Sequence, residues 1–143
     1  MLVEDNPRDL ELTLAALAKC QLANEIVVAR DGAEALDYLY ARGDHADRTP
    51  GDPAVVLLDL KLPKVDGLEV LERVKRSPAH RQIPVVMLTS SREERDLVRS
   101  YELGVNAFVV KPVDFNAFFE AIQDLGMFWA ILNEPPPGAR AHA

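Results

Sequence analysis

Two acids stand together where an apolar pair stops, Glu4 and Asp5 after Leu2-Val3, and a third, Asp59, closes the run Val55-Val56-Leu57-Leu58. Two further apolar runs end on other reactive groups: Val85-Val86-Met87-Leu88 on Thr89 and the small Ser90, and Phe108-Val109-Val110 on Lys111. If these ends share one pocket, the three carboxylates repel one another by about 4 kcal/mol per close pair at an effective dielectric of about 20. A positive group must then sit among them. A hard cation with oxygen ligands answers this, and Mg2+ suits best, because it binds through one or two carboxylates, keeps waters and accepts a phosphate oxygen. The chemistry that follows is phosphoryl transfer. Asp59 is the carboxylate able to attack phosphorus and form an acyl phosphate, while the Thr89 hydroxyl and Lys111 ammonium offset the charge on the moving oxygens. Taken singly, each residue has a plainer reading: Glu4-Asp5 as a solvated helix cap, Asp59 as a turn residue, Thr89 as a strand-end hydroxyl, Lys111 as a surface lysine. Only their joint placement speaks for a site.

Placement depends on the elements. Short β-branched runs alternate with amphipathic stretches of helical length, the rhythm of an α/β domain with a parallel sheet. Five strands and five helices are expected, in a doubly wound order 2-1-3-4-5. Asp5-Asn6-Pro7 opens a helix over 7–19, with Leu10, Leu14 and Leu17 on one face. Ile26-Val27-Val28-Ala29 reads as the second strand; Ala35, Leu36, Leu39 and Tyr40 mark the second helix, and 43–53 reads as a long loop. Leu68, Leu71 and Val74 give a third helix stopping at Ser77-Pro78. Leu97, Val98 and Tyr101 give a fourth ending at Gly104, and a last helix starts near Asp114. In that strand order, ligands bind beyond the carboxyl ends of strands one, three, four and five. Strand two ends on Arg30-Asp31, lies at the edge and takes no part.

Composition sets the outer bounds. The chain has 143 residues, 48% of them apolar, enough for one core. No apolar run approaches the roughly 20 residues that span a bilayer, and the start carries no secretory signal, so a cytoplasmic location is expected without a membrane partner. A net charge of −7 disfavours nucleic acid, whose binding is driven by cationic contacts. The single Cys20 is read as a helix thiol without function. His45, His80 and His142 fall in expected loops or the tail and are read as solvated.

Val3-Glu4-Asp5-Asn6, the run from Leu57 through Asp59 and Lys61-Leu62-Pro63 to Asp66-Gly67, Leu88-Thr89-Ser90 and Lys111-Pro112 resemble, in order, the motifs of response-regulator receiver domains. The resemblance spans 2–132. It implies a flavodoxin-like receiver domain over 1–133, with 134–143 as a flexible tail, that takes a phosphoryl group from a histidine kinase onto Asp59. It further implies a Mg2+ site shared with Asp59, in which Asp5 and the Lys61 carbonyl ligate the ion directly and Glu4 helps through a water. Thr89, Ser90 and Lys111 would hold the phosphoryl oxygens, and the Lys111-Pro112 bond would be cis. Two features depart from the family. Phe108 stands where the family often has the Tyr that swings inward with the Thr hydroxyl, so this switch residue keeps the ring and loses the phenol. The first strand also begins only two residues before Glu4, so the chain reads either as a piece of a longer one or as one with a short first strand. The opening Leu-Val-Glu-Asp-Asn-Pro, the long loop and the late Phe-Trp resemble stand-alone regulators found beside phytochrome-type kinases.

The chain is therefore expected to be a signalling protein rather than an enzyme, beyond self-phosphorylation and self-dephosphorylation. A phosphatase of the haloacid-dehalogenase type would carry an acid two residues after the nucleophile, where this chain has Lys61; an interaction module without chemistry would not need the full set Asp5, Asp59, Thr89 and Lys111. Too little chain follows Pro112 for a DNA-binding output domain, so output by protein contact, relay to another histidine or removal of phosphate from a kinase is expected. In the last helix Phe118, Ile122, Leu125 and Trp129 form the core stripe, leaving Phe128, Ile131 and Leu132 for a homodimer contact.

Overall fold

The computed structural model describes residues 1–19, 26–90, 99–111 and 113–124. Five strands, β1 (Leu2–Val3), β2 (Val28–Ala29), β3 (Val56–Asp59), β4 (Val85–Thr89) and β5 (Ala107–Val110), form one parallel sheet in the order β2-β1-β3-β4-β5. Helices α1 (Pro7–Ala18), α2 (Gly32–Leu39) and α3 (Gly67–Arg76), helical residues 99–102 and a last described helix, Phe115–Asp124, are the five helices expected.

The central strands carry apolar residues on both faces because both faces are covered. Successive side chains alternate between faces, which gives two cores. Leu2, Leu57, Val86, Leu88 and Val109 pack with Leu10 and Leu17 of α1 and with Phe118 of the last helix. Val3, Val56, Leu58, Val85 and Met87 pack with Leu36 and Leu39 of α2 and Val70, Leu71 and Val74 of α3. A sheet wedged between two helix layers is rigid, and it holds its carboxyl edge in a fixed register: Asp59 lies beside Leu88, and Thr89 beside Val110.

Several expectations are corrected. The second strand shortens to Val28–Ala29, although the Val27 carbonyl still accepts from Leu2 N at 2.8 Å. The loop over 43–53 contains a 3-10 turn, Gly43–His45, and Arg48 organises it, donating Nη1 to the carbonyls of Thr49 and Gly51 at 2.9 Å each, with its guanidinium 4.3 Å over the Tyr38 ring. Two histidines are not simply solvated. The half-buried His80 meets the Leu39 carbonyl through Nε2 at 2.9 Å and Ser77 Oγ through Nδ1 at 2.8 Å; a carbonyl can only accept, so Nε2 carries the proton. His45 stands edge-on to Tyr38 at 5.3 Å, with Nε2 3.9 Å from Glu34 Oε1. Tyr101 lies on the fourth helix as expected, with its side chain 62% exposed. Glu93, Glu94, Leu97, Val98, Cys20, His142, the Lys111-Pro112 bond, and Leu125, Phe128, Trp129, Ile131 and Leu132 lie outside the described residues.

Candidate phosphoryl-transfer site

Each site residue reaches the carboxyl edge for a local reason. Glu4 and Asp5 follow β1 directly, and the chain then turns into α1, whose cap is Asn6: its Oδ1 accepts from Arg8 N at 2.9 Å and Asp9 N at 3.0 Å. With the cap supplied by Asn6, the neighbouring acids are left for other work. Asp59 is the last residue of β3, 5% exposed, and Lys61 N lies 3.4 Å from its Oδ1 while the Lys61 side chain faces solvent. Behind Asp59, α3 begins at Gly67, where an added Cβ would lie 2.2 Å from the Asp59 carbonyl oxygen. Only glycine lets the helix start so close, and any side chain would displace the strand end that presents the acid.

The acids converge. One carboxylate oxygen from each of Glu4, Asp5 and Asp59 lies within 4.8 Å of the others. Lys111, just beyond β5, brings its Nζ to Glu4 Oε1 at 2.7 Å, Asp9 Oδ2 at 3.0 Å and Asp59 Oδ2 at 3.1 Å. Thr89 ends β4 with 2% exposure, and its carbonyl accepts from Lys111 N at 2.9 Å, tying the two strand ends together. Ser90 follows, exposed at the rim. Phe108 sits lower on β5, half buried, its ring edge-on to Tyr101 with centroids 5.2 Å apart. Asp31 takes no part: it caps α2 through Glu34 N at 2.7 Å and pairs with Lys64 at 3.3 Å.

The electrostatics follow from this crowding. Burial, then the adjacent Asp59 carboxylate, push the Glu4 carboxyl up to about 7, against the pull of Lys111. Burial acts to lower the Lys111 ammonium, but hydrogen bonds to Glu4 and Asp9 and the charge of Asp59 outweigh it and hold its pKa above the ordinary lysine value. Four acids around one ammonium leave a surplus of negative charge. Oxygen-only donors at this spacing fit a hard divalent cation.

The expected residues Glu4, Asp5, Asp59, Thr89 and Lys111 therefore meet at one edge, with Ser90 and Lys61 bordering it and Phe108 set back. Asp9 was missed. In the sequence it reads as an ordinary first-turn helix acid, and only its position one helical turn beyond Asp5 could have hinted that it faces the same way.

The pattern for the response regulator receiver domain matches residues 1–123. The chain belongs to that family. It is 39% identical over 129 residues to the response regulator Rcp1 of Synechocystis sp., a match covering 90% of this chain and 86% of Rcp1. Among solved structures, the bacteriophytochrome response regulator AtBRR is 80% identical with a TM-score of 0.84, covering 93% of this chain and 95% of that one. A Mn(2+)-bound form of Rcp1 is 37% identical with a TM-score of 0.75, covering 94% and 96%. The chain is thus a response-regulator receiver domain of the flavodoxin-like fold, a signalling protein whose relatives include bacteriophytochrome response regulators. A receiver domain takes a histidine kinase as partner and binds a divalent metal. Among the described residues no helix is long and apolar enough to cross a membrane.

Proposed function

We propose that Asp59 accepts the phosphoryl group from the phosphohistidine of a sensor kinase of the phytochrome type. An Asp59 oxygen bonds to phosphorus, the phosphorus–nitrogen bond breaks, and the imidazole leaves with the electron pair. Lys111, Thr89 and Ser90 hold the phosphoryl oxygens. Asp5, Asp59 and the Lys61 carbonyl would hold Mg2+, with Glu4 helping through a water, and the ion when bound would neutralise charge on the incoming phosphoryl group. The single observation that carries this reading is the Lys111 ammonium 3.1 Å from Asp59 Oδ2 inside a ring of carboxylates. Likeness to AtBRR and Rcp1 supports the kinase class.

Phe108 is the switch, its ring moving with the Thr89 hydroxyl. Self-phosphorylation by small donors and slow self-dephosphorylation are the only reactions the domain performs alone. The receiver domain runs over 1–133 with a tail over 134–143, works in the cytoplasm, and signals by protein contact or phosphorelay rather than through nucleic acid. Phe128, Ile131 and Leu132 pair two copies through the last helix. The test is incubation with acetyl phosphate and Mg2+, read by intact mass: one phosphoryl group on the native chain and none on Asp59→Asn or without the metal. Uptake by Asp59→Asn overturns the assignment. Sedimentation of the chain against one truncated after Leu125, with folding checked by circular dichroism, tests the dimer; a monomeric intact chain refutes it.

A further inference from the structure

A lysine ammonium has three protons, and at Lys111 all three have carboxylate partners: Glu4 Oε1 at 2.7 Å, Asp9 Oδ2 at 3.0 Å and Asp59 Oδ2 at 3.1 Å. These partners are not equivalent. Glu4 and Asp59 also belong to the acidic trio, with Asp5, whose oxygens lie within 4.8 Å of one another, so a cation seated there competes with Lys111 for both. Asp9 lies outside that trio. It comes from the first turn of α1, at the pocket mouth, with its side chain 36% exposed against 10% for Lys111.

We propose that Asp9 is the anchor that keeps the Lys111 ammonium at the pocket when Glu4 and Asp59 turn to a cation, which makes it a positioning residue for phosphoryl uptake. The role rests on the reading of Asp59 as phosphoacceptor. Without Asp9, an ammonium on a four-carbon stem and released by two of its partners swings toward water, and each donor must wait for its return. A purely helical role for Asp9 is too small to compete. Asn6 already caps Arg8 N and Asp9 N, and an exposed first-turn acid adds only tenths of a kcal/mol through the helix dipole.

The experiment uses the full chain with saturating Mg2+ and two readouts. The first is reductive methylation of Lys111, followed by peptide mass spectrometry. Asp9→Ala raises Lys111 labelling by about threefold, what remains of a charge-assisted bond after solvent screening. Asp9→Asn, which keeps an acceptor and loses the charge, falls between. The second is the rate of phosphorylation by acetyl phosphate, which drops about tenfold in Asp9→Ala, as is common when a supporting partner of a site group is lost. The Mg2+ affinity measured by calorimetry holds within about twofold, and the drop vanishes in a Lys111→Ala background, because the two residues act as one unit. Glu11→Ala, an exposed acid on the same helix, moves neither readout. Unchanged Lys111 labelling in Asp9→Ala overturns the proposal, as does a loss of Mg2+ affinity matching the loss of rate, which would make Asp9 a ligand. Phosphorylation persisting in Asp59→Asn overturns the acceptor assignment instead, and the labelling result still decides the role of Asp9.

Discussion

Two partly buried lysines stand at opposite edges of the sheet, each with its ammonium held by three oxygens. At the carboxyl edge Lys111 meets carboxylates of Glu4, Asp9 and Asp59. At the amino edge Lys75 meets the carbonyls of Ile83 at 2.9 Å and Arg81 at 3.3 Å and Asn106 Oδ1 at 3.0 Å, an oxygen that also accepts from Val85 N at 2.8 Å. The oxygens differ in charge, and so do the consequences. Burial among neutral dipoles lowers the Lys75 ammonium, whereas carboxylates raise that of Lys111. Neutral acceptors satisfy a cation and stop there, leaving Lys75 as a clamp between α3 and the starts of β4 and β5. The carboxyl edge keeps more negative charge than one lysine can balance, and that surplus is what makes it a site.

The largest expected effect separates the edges outright. Asp59→Asn removes phosphoryl uptake altogether while circular dichroism stays native, because the amide matches the carboxylate in size and lacks its nucleophilicity; Lys75→Met leaves uptake at saturating Mg2+ within about twofold, since its contacts lie at the far edge of the sheet.

Stability sharpens the contrast next. Lys75→Met takes the ammonium from the Arg81 and Ile83 carbonyls, leaves Asn106 Oδ1 with Val85 N alone, and lowers unfolding stability by about 1–3 kcal/mol in urea, with or without Mg2+. Lys111→Met costs a similar amount, about 1–3 kcal/mol, in the metal-free chain near neutral pH, and Mg2+ restores a large part of it, since a cation can replace the lost charge. Equal responses to Mg2+ at the two lysines would erase the distinction.

A smaller effect is expected from pH. In metal-free chain the Glu4 carboxyl sits at about 7, above its ordinary 4.5. Between those values the folded chain binds the proton more tightly than the unfolded one, so stability falls as pH rises through this window. Asp5, Asp59 and Lys111 face the same group, and Mg2+ opposes the effect by favouring the charged form. Melting temperatures followed in chelator should decline from about pH 5 to about pH 6, below the range in which the buried Met1 amino group, lowered to about 6, acts in the opposite sense, and the slope should flatten in Glu4→Gln. A rising melting temperature over that range contradicts it.

The smallest effect lies away from both lysines. Tyr101→Ala removes an exposed ring resting on Phe108 and should cost no more than about 1 kcal/mol. A larger loss would mean that Tyr101 helps to hold the β5 edge, and so Lys111, in place.

How much of this was legible varies with what each residue depends on. Strand-end acids could be read because an apolar run that stops on Asp59 or Glu4 fixes both the element and the end at which the group stands. The strand order followed from the same rhythm, and Asn6 was recognisable as part of a cap from its place before Pro7. Asp9 was not legible, since a first-turn acid looks alike whether it faces water or a lysine more than a hundred residues away in sequence. His80 and His45 were misread as solvated because a loop histidine reveals nothing of the carbonyl or ring that meets it. The buried Val70 on α3 was passed over in favour of Leu68, which packs only at the margin of the core, because helical periodicity gives a stripe and not which edge of it the sheet covers.

The sequence by itself determined the fold class, the carboxyl-edge placement of Glu4, Asp5, Asp59, Thr89 and Lys111, and the receiver family, all of which rest on local periodicity and short motifs. Only the tertiary structure decided which carboxylates Lys111 binds, that Glu4 is fully buried, and that Lys75 is its neutral counterpart at the other edge. The reason is physical: hydrogen-bond partners and desolvation are properties of the packed sheet and helices, set by side chains that meet across long stretches of chain, and no local pattern encodes them.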